Sequence, residues 1–142
     1  MTEPALEARD LSFSYSQAAP ILREWSAVFR AGSMTALTGP SGRGKSTLLY
    51  LLGLMLNPTG GQVLVDGEAA SSMRDRDRAR LRAEKFGFVF QDAALDHTRT
   101  VLENVTETAI YRGQSRREVQ DQAMELLRRF EVDVPASRRP GQ

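Results

Sequence analysis

The chain has 142 residues, 41% of them apolar and 26% charged, with 19 basic against 18 acidic side chains and a formal net charge of +1. That length suits one domain with a single core, and the near-neutral balance excludes a global field that would draw nucleic acid or anionic lipid. With no cysteine, disulfides and thiolate metal sites are excluded, and the chain is compatible with a reducing cytosol.

The first residues, MTEPALEARD, carry acid where a secretory signal needs base, and no apolar stretch follows. Within ALEARDLSF, apolar Leu6, Ala8, Leu11 and Phe13 read as a strand whose alternation slips at Arg9 and Asp10, which predicts a bulge or a sheet edge. EWSAVFRAGS places Trp25, Ala27 and Phe29 on one face before a turn at Ala31 and Gly32. MTALT, ending at Gly39, has the nearly continuous apolar run of a buried strand. A buried helix is predicted to start at KSTLLYLLGLML, to weaken at Gly53 and to stop at NPTGG. The apolar cluster from Leu48 to Leu56 runs to about half the ~20 residues that span a bilayer. QVLVDG is a further strand and turn.

From Ser71 to Lys85, Arg74, Arg76, Arg78, Arg80 and Arg82 alternate with Asp75, Asp77 and Glu84. The pattern predicts a solvated helix with pairs such as Asp77 with Arg80 and Arg80 with Glu84, each contributing about 0.2 to 0.5 kcal/mol. FGFVFQ returns to strand character, and the loop DAALDHTR leads into two helices with capping boxes, Thr100 with Glu103 and Ser115 with Glu118. In the second helix Val119, Ala123, Leu126, Leu127 and Phe130 recur at helical spacing as a buried stripe, and Arg128 and Arg129 suit its C-terminus.

Between the predicted strand MTALT and the predicted helix lies GPSGRGKST, residues 39 to 47. The pattern G-x-x-x-x-G-K-[S/T] has about 0.005 chance matches in a chain of this size at average residue frequencies. Its setting, strand before and helix after, is the one in which it has physical meaning. Gly39, Gly42 and Gly44 let the backbone curl with its N–H groups inward, and the helix opening at Lys45 adds roughly half a positive charge at its N-terminus. Such a nest suits phosphate. Lys45 is expected to reach the β- and γ-phosphates, the Ser46 hydroxyl to ligate Mg²⁺, and Thr47 to add a phosphate contact.

Two further stretches, with this loop, resemble the nucleotide-binding subunit of ATP-binding cassette (ABC) transporters. The first is FSYS: the family stacks adenine on an aromatic about 25 residues before the glycine-rich loop, and Tyr15 stands 24 residues before Gly39. The second is FGFVFQ followed by TVLENV, similar to the family's Q-loop and the start of its helical subdomain. The order aromatic, P-loop, PTGGQVLVDG turn, Q-loop and capped helices extends the resemblance over essentially all 142 residues. Within the family the wording is nearest the lipoprotein-release and macrolide-export type.

The resemblance implies an α/β fold, a P-loop NTPase core of ABC type with N-terminal antiparallel strands. Residues 1–142 then form a single, incomplete ATPase domain, with the nucleotide-binding core at 1–91 and the Q-loop and start of the helical subdomain at 92–142. It implies ATP and Mg²⁺ as cofactors, held by Tyr15 and by Gly39, Pro40, Ser41, Gly42, Arg43, Gly44, Lys45, Ser46 and Thr47. Lys45 and Gln91 take the catalytic roles, Gln91 joining Ser46 at Mg²⁺ and touching the attacking water. Because stacking tolerates any aromatic ring, Tyr15→Phe is expected to be nearly silent. The implied partners are membrane-spanning permease subunits and a second ATP-binding subunit, with no nucleic acid, at the cytoplasmic face of the cell membrane. A soluble ABC-type ATPase acting on DNA or the ribosome, and a non-catalytic nucleotide-binding fragment, are the alternatives.

Two departures from the family pattern stand out. Arg43 puts a long cation where a small residue is usual, at the lip of the cradle. SRRPGQ, residues 137 to 142, resembles the segment just before the LSGGQ signature, so the signature, the Walker B aspartate, the catalytic glutamate, the D-loop and the switch histidine have no counterpart in this sequence. The chain is therefore expected to be truncated before the signature motif, to leave a long apolar edge that favours aggregation or dye binding, and to hydrolyse no ATP at a useful rate. His97, the single histidine, reads as a surface loop residue.

Overall fold

Strand β1 (Pro4–Phe13) runs between two antiparallel partners, β2 (Leu22–Arg30) and β3 (Gly60–Val65), and a short β4 (Glu68–Ala69) completes the order β2-β1-β3-β4. The structure is a computed structural model that describes residues 4–16, 19–92 and 95–141. Met1 to Glu3, Ala93 and Ala94 of the DAALDHTR loop, and Gln142 at the end of SRRPGQ lie outside the described residues. The chain divides into two compact units, Met1–Arg82 and Ala83–Gln142.

In the first unit the slip at Arg9 and Asp10 is a bulge and not an edge, since β1 is paired on both sides. Against β2 the register jumps from Ala8↔Ala27 to Leu11↔Trp25, and against β3 from Arg9↔Gln62 to Ser12↔Gly60. Asp10 takes φ 49°, its N–H donates to Ser26 Oγ at 2.8 Å, and the Ser26 hydroxyl donates back to Asp10 Oδ1 at 3.0 Å. Opposite the bulge, Gly61 has φ 73°, and a Cβ there would stand 2.3 Å from Asp10 O and 2.4 Å from Arg9 O. Only glycine lets β3 approach so closely. Trp25, Ala27 and Phe29 share the half-buried face of β2 as their spacing predicts, with the Trp25 and Phe29 rings 6.4 Å apart.

Helix α1 (Lys45–Leu52) starts where predicted, after the Gly44 N-cap, but its C-cap is Gly53, short of the NPTGG stretch expected to stop it, because the glycine already breaks the helix. The buried apolar side chains of this unit come, among the described residues, from β1 (Ala8, Leu11, Phe13), α1 (Leu48, Leu51, Leu52) and β3 (Val63, Leu64, Val65), with Leu54 and Ala70. Helix α2 (Asp75–Lys85) is the charge-rich stretch, with exposed Arg74 pairing to Asp77 at 3.1 Å. It is less solvated than its composition suggests. Arg78 is buried, bonding Asp75 at 2.7 Å while its Nε has no partner, and Arg82 Nη1 donates to Leu54 O at 2.7 Å.

Two apolar segments depart from their predicted strand state. Residues 34–38, MTALT, form no ladder, and Met34 is fully exposed. Residues 86–90 are likewise unpaired and keep only strand-like alternation: Phe86, Phe88 and Phe90 stack at 6.0 Å intervals with interplanar angles of 7° and 13°, and Val89 is fully exposed. Strand propensity is a preference for a pleated, half-buried surface, and no described strand lies beside either segment to provide one.

The second unit is built on α3 (Val101–Tyr111) and α4 (Arg116–Arg129). Both predicted capping boxes are formed: Thr100 and Ser115 each accept from the backbone N–H three residues on, and Glu103 and Glu118 each accept from the cap backbone. Val119, Ala123 and Leu127 are buried, whereas Leu126 and Phe130 of the expected stripe are exposed. α3 also takes partners from beyond α4, with Val101 N–H donating to Arg138 O at 2.8 Å and Leu102 N–H to Ala136 O at 2.9 Å. His97 lies on the surface as expected, its Nδ1 3.2 Å from Pro140 O. Among the described residues no helix is long and apolar enough to cross a membrane.

Candidate functional site

The loop from Gly39 to Gly44 joins the extended segment 34–38 to α1, and three of its glycines take positive φ: Gly39 143°, Gly42 73° and Gly44 83°. Gly44 serves as the N-cap of α1 in the left-handed region, so no side chain caps the helix and no acidic residue sits in its first turn. The positive end of the helix therefore faces the loop without a carboxylate of its own. A Cβ at Gly44 would fall 2.5 Å from Ile21 Cγ2, so the loop is held against the residue that precedes β2.

Lys45 folds back over the loop, and its Nζ donates to Gly39 O at 2.7 Å and Pro40 O at 2.6 Å. The ammonium is thereby held against the backbone of the loop itself. Ser46 is exposed, and Thr47, the third residue of α1, is buried. Arg43 is exposed at the lip, where the sequence places it.

Tyr15 belongs to this constellation. Its ring packs edge-on against Phe13, centroids 4.8 Å apart at 87°, and its hydroxyl lies 3.2 Å from Thr47 Oγ1. The tyrosine remains 65% exposed, which leaves a ring face open for stacking. Sequence reasoning placed Tyr15 near the loop but missed its hydroxyl contact and its Phe13 support. The support was readable, since residues two apart on an extended chain share a face.

Tyr15, Lys45 and Thr47 thus gather in the first unit around one glycine-rich curl. Gln91 lies in the second unit, exposed, directly after the stacked phenylalanines. Among the described residues no group of three or more His, Asp or Glu side chains gathers to hold a metal. The exposed Ser46 hydroxyl is an oxygen donor of the class a hard cation such as Mg²⁺ takes alongside substrate phosphates and waters.

Comparison with known proteins identifies the family. Residues 22–142 match the ABC transporter family. The chain is 38% identical over 135 residues to the lipoprotein-releasing system ATP-binding protein LolD 1 of Chlorobium chlorochromatii, covering 94% of this chain and 55% of that protein. It is 37% identical over 145 residues to the macrolide export ATP-binding/permease protein MacB of Bordetella avium, covering 100% of this chain and 22% of that one. It therefore spans about half the length of the lipoprotein-releasing relatives and less of the export protein. Among solved structures, a dimeric ATP-binding cassette in a post-hydrolysis state bound to ADP and Pi superposes with TM-score 0.84 at 28% identity, covering 96% of this chain and 62% of that one.

Proposed function

Because the chain belongs to the ABC transporter family, we propose that it binds ATP with Mg²⁺ at Gly39–Thr47 and Tyr15, as the nucleotide-binding part of a transporter's ATP-binding subunit. The observation that carries this reading is the cradle itself, with left-handed glycines, an uncompensated helix N-terminus and Lys45 Nζ held over the loop. In this reading the loop's N–H groups and Lys45 hold the phosphates, and Thr47 contributes its hydroxyl. Tyr15 offers its ring to the base. Ser46 would supply an oxygen to Mg²⁺, which would neutralise phosphate charge; for Gln91 the proposed Mg²⁺ role rests on the family resemblance alone.

The family relationship extends the proposal to partners: membrane-spanning permease subunits, a second ATP-binding subunit, and a peripheral position at the cytoplasmic face of the membrane. Among the structural relatives, the post-hydrolysis cassette is a dimer bound to ADP and Pi.

Lys45→Ala removes a charge-assisted contact of about 1.5 to 3 kcal/mol, so ATP affinity should fall at least about tenfold. Calorimetric titration of wild type and variant checks this, and equal affinities overturn the assignment. Phosphate release from the purified chain completes the test. Residues 1–142 by themselves include no counterpart of the family's catalytic glutamate or signature, so binding by these residues alone would lower the ground state without stabilising the transition state. Turnover is expected below about 0.1 per second, well under typical enzyme rates. Faster release that disappears in Lys45→Ala would reveal a catalytic group within these residues.

A further inference from the structure

Tyr15 meets the phosphate loop with an atom that stacking does not use. Its hydroxyl lies 3.2 Å from Thr47 Oγ1, and the two partners differ sharply in setting: Tyr15 is 65% exposed, Thr47 only 8%. A phenol is a stronger hydrogen-bond donor than an aliphatic alcohol, because the ring delocalises the oxygen lone pairs, and a threonine hydroxyl has two lone pairs but one hydrogen. In the favoured arrangement Tyr15 O–H donates and Thr47 Oγ1 accepts, which leaves the Thr47 hydrogen free to be given onward.

Left alone, a threonine in a helix can turn its hydroxyl back to a carbonyl of the preceding turn. In the first turn of α1 that would waste the group on the loop's own backbone. The Tyr15 bond competes with this back-bond and holds Oγ1 forward. It also polarises the hydroxyl, since successive hydrogen bonds in a chain strengthen one another. The edge-on contact with Phe13 steadies the donor.

We propose that Tyr15 is a positioning residue for the phosphate end of the nucleotide as well as a platform for its base, its hydroxyl aiming Thr47 at a phosphate oxygen. The inference rests on the nucleotide reading above and deepens it. It reverses the expectation that Tyr15→Phe is silent, because phenylalanine keeps the ring and loses the O–H.

The test separates base from phosphate. ATP and inorganic tripolyphosphate, which has no base to stack, are titrated calorimetrically with Mg²⁺ into the full chain as wild type, Tyr15→Phe, Thr47→Val, the double variant, and Thr47→Ser. Tyr15→Phe should weaken both ligands about threefold to tenfold. It should have no effect in the Thr47→Val background and should recover its full effect in Thr47→Ser, which retains the hydroxyl. If Tyr15→Phe binds tripolyphosphate as wild type does, or if its loss persists without the Thr47 hydroxyl, the inference is overturned while nucleotide binding stands. Wild type and Lys45→Ala binding ATP equally would instead overturn the nucleotide reading, and this inference with it.

Discussion

Strand β1 and the segment from Phe86 to Phe90 both space apolar side chains two residues apart, and they differ in what lies beside them. β1 has a ladder on each edge, and its Ala8, Leu11 and Phe13 are buried. Phe88, Val89 and Phe90 are exposed, the phenylalanines stacked only on one another. Antiparallel partners arrive through short returns of the chain, as β2 does after β1. A parallel partner requires a crossover of a dozen residues or more, usually a helix. The contrast teaches that a strand's burial is a property of its neighbours, and that the same side chains count as core in one setting and as surface in the other.

The sharpest way to break that contrast is to truncate a side chain in each region. Leu11→Ala, at a fully buried position, should cost about 2 to 5 kcal/mol, whereas Val89→Ala, at a fully exposed one, should fall within about 0.5 kcal/mol of wild type. Urea unfolding of both variants measures the difference, and equal losses would mean that residues 86–90 are buried in solution.

The bulge gives a second, smaller lever. Gly61→Ala must accept a left-handed backbone, about 1 to 2 kcal/mol, and in addition push its Cβ away from two carbonyl oxygens of β1. Gly67 has φ 83° but nothing within 4 Å of the place an alanine methyl would occupy, so Gly67→Ala should incur the backbone cost alone. Thermal midpoints of the two variants should therefore be ordered with Gly61→Ala lower. The reverse order would show that β3 does not approach the bulge so closely.

The helix caps sharpen the comparison from the side of local structure, which needs no distant neighbour. Thr100→Ala and Ser115→Ala should each cost about 1 kcal/mol in unfolding experiments. Hydrogen bonds from the backbone and hydroxyl of Thr100 hold the Glu103 carboxyl below its ordinary value, and those of Ser115 do the same for Glu118. A carboxyl lowered in the folded state stabilises the fold fully above its unfolded pKa, about 4.3, and that stabilisation is lost as pH falls through the lowered folded value. Glu103→Gln should flatten this acid limb in a pH series of unfolding midpoints.

What was legible in the sequence follows the same division. The capping boxes, the break in alternation at Arg9 and Asp10, the start of α1 and the glycine-rich loop are set by residues close together in the chain, and each could be read from spacing alone. The pairing of 34–38 and 86–90 depends on strands elsewhere, so their composition pointed to an environment these residues do not have. Burial of Arg78 was hidden for a related reason: a run of alternating charges carries no sign of which guanidinium lies inward. At the candidate site, Tyr15, Lys45 and Thr47 were singled out by motif, while the Tyr15 hydroxyl bond to Thr47 was not, because the sequence positions a ring and says nothing of where its far atom ends.

The amides of Val101 and Leu102 are held by carbonyls of Arg138 and Ala136, beyond the end of α4. Donors in a helix's first turn ordinarily exchange with solvent almost freely, since the helix itself offers them no acceptor. Here their protection from deuterium is tied to the docking of residues 136–138, not to the opening of α3. Two amide signals at the start of one helix thus become a clock for the release of a segment far along the chain.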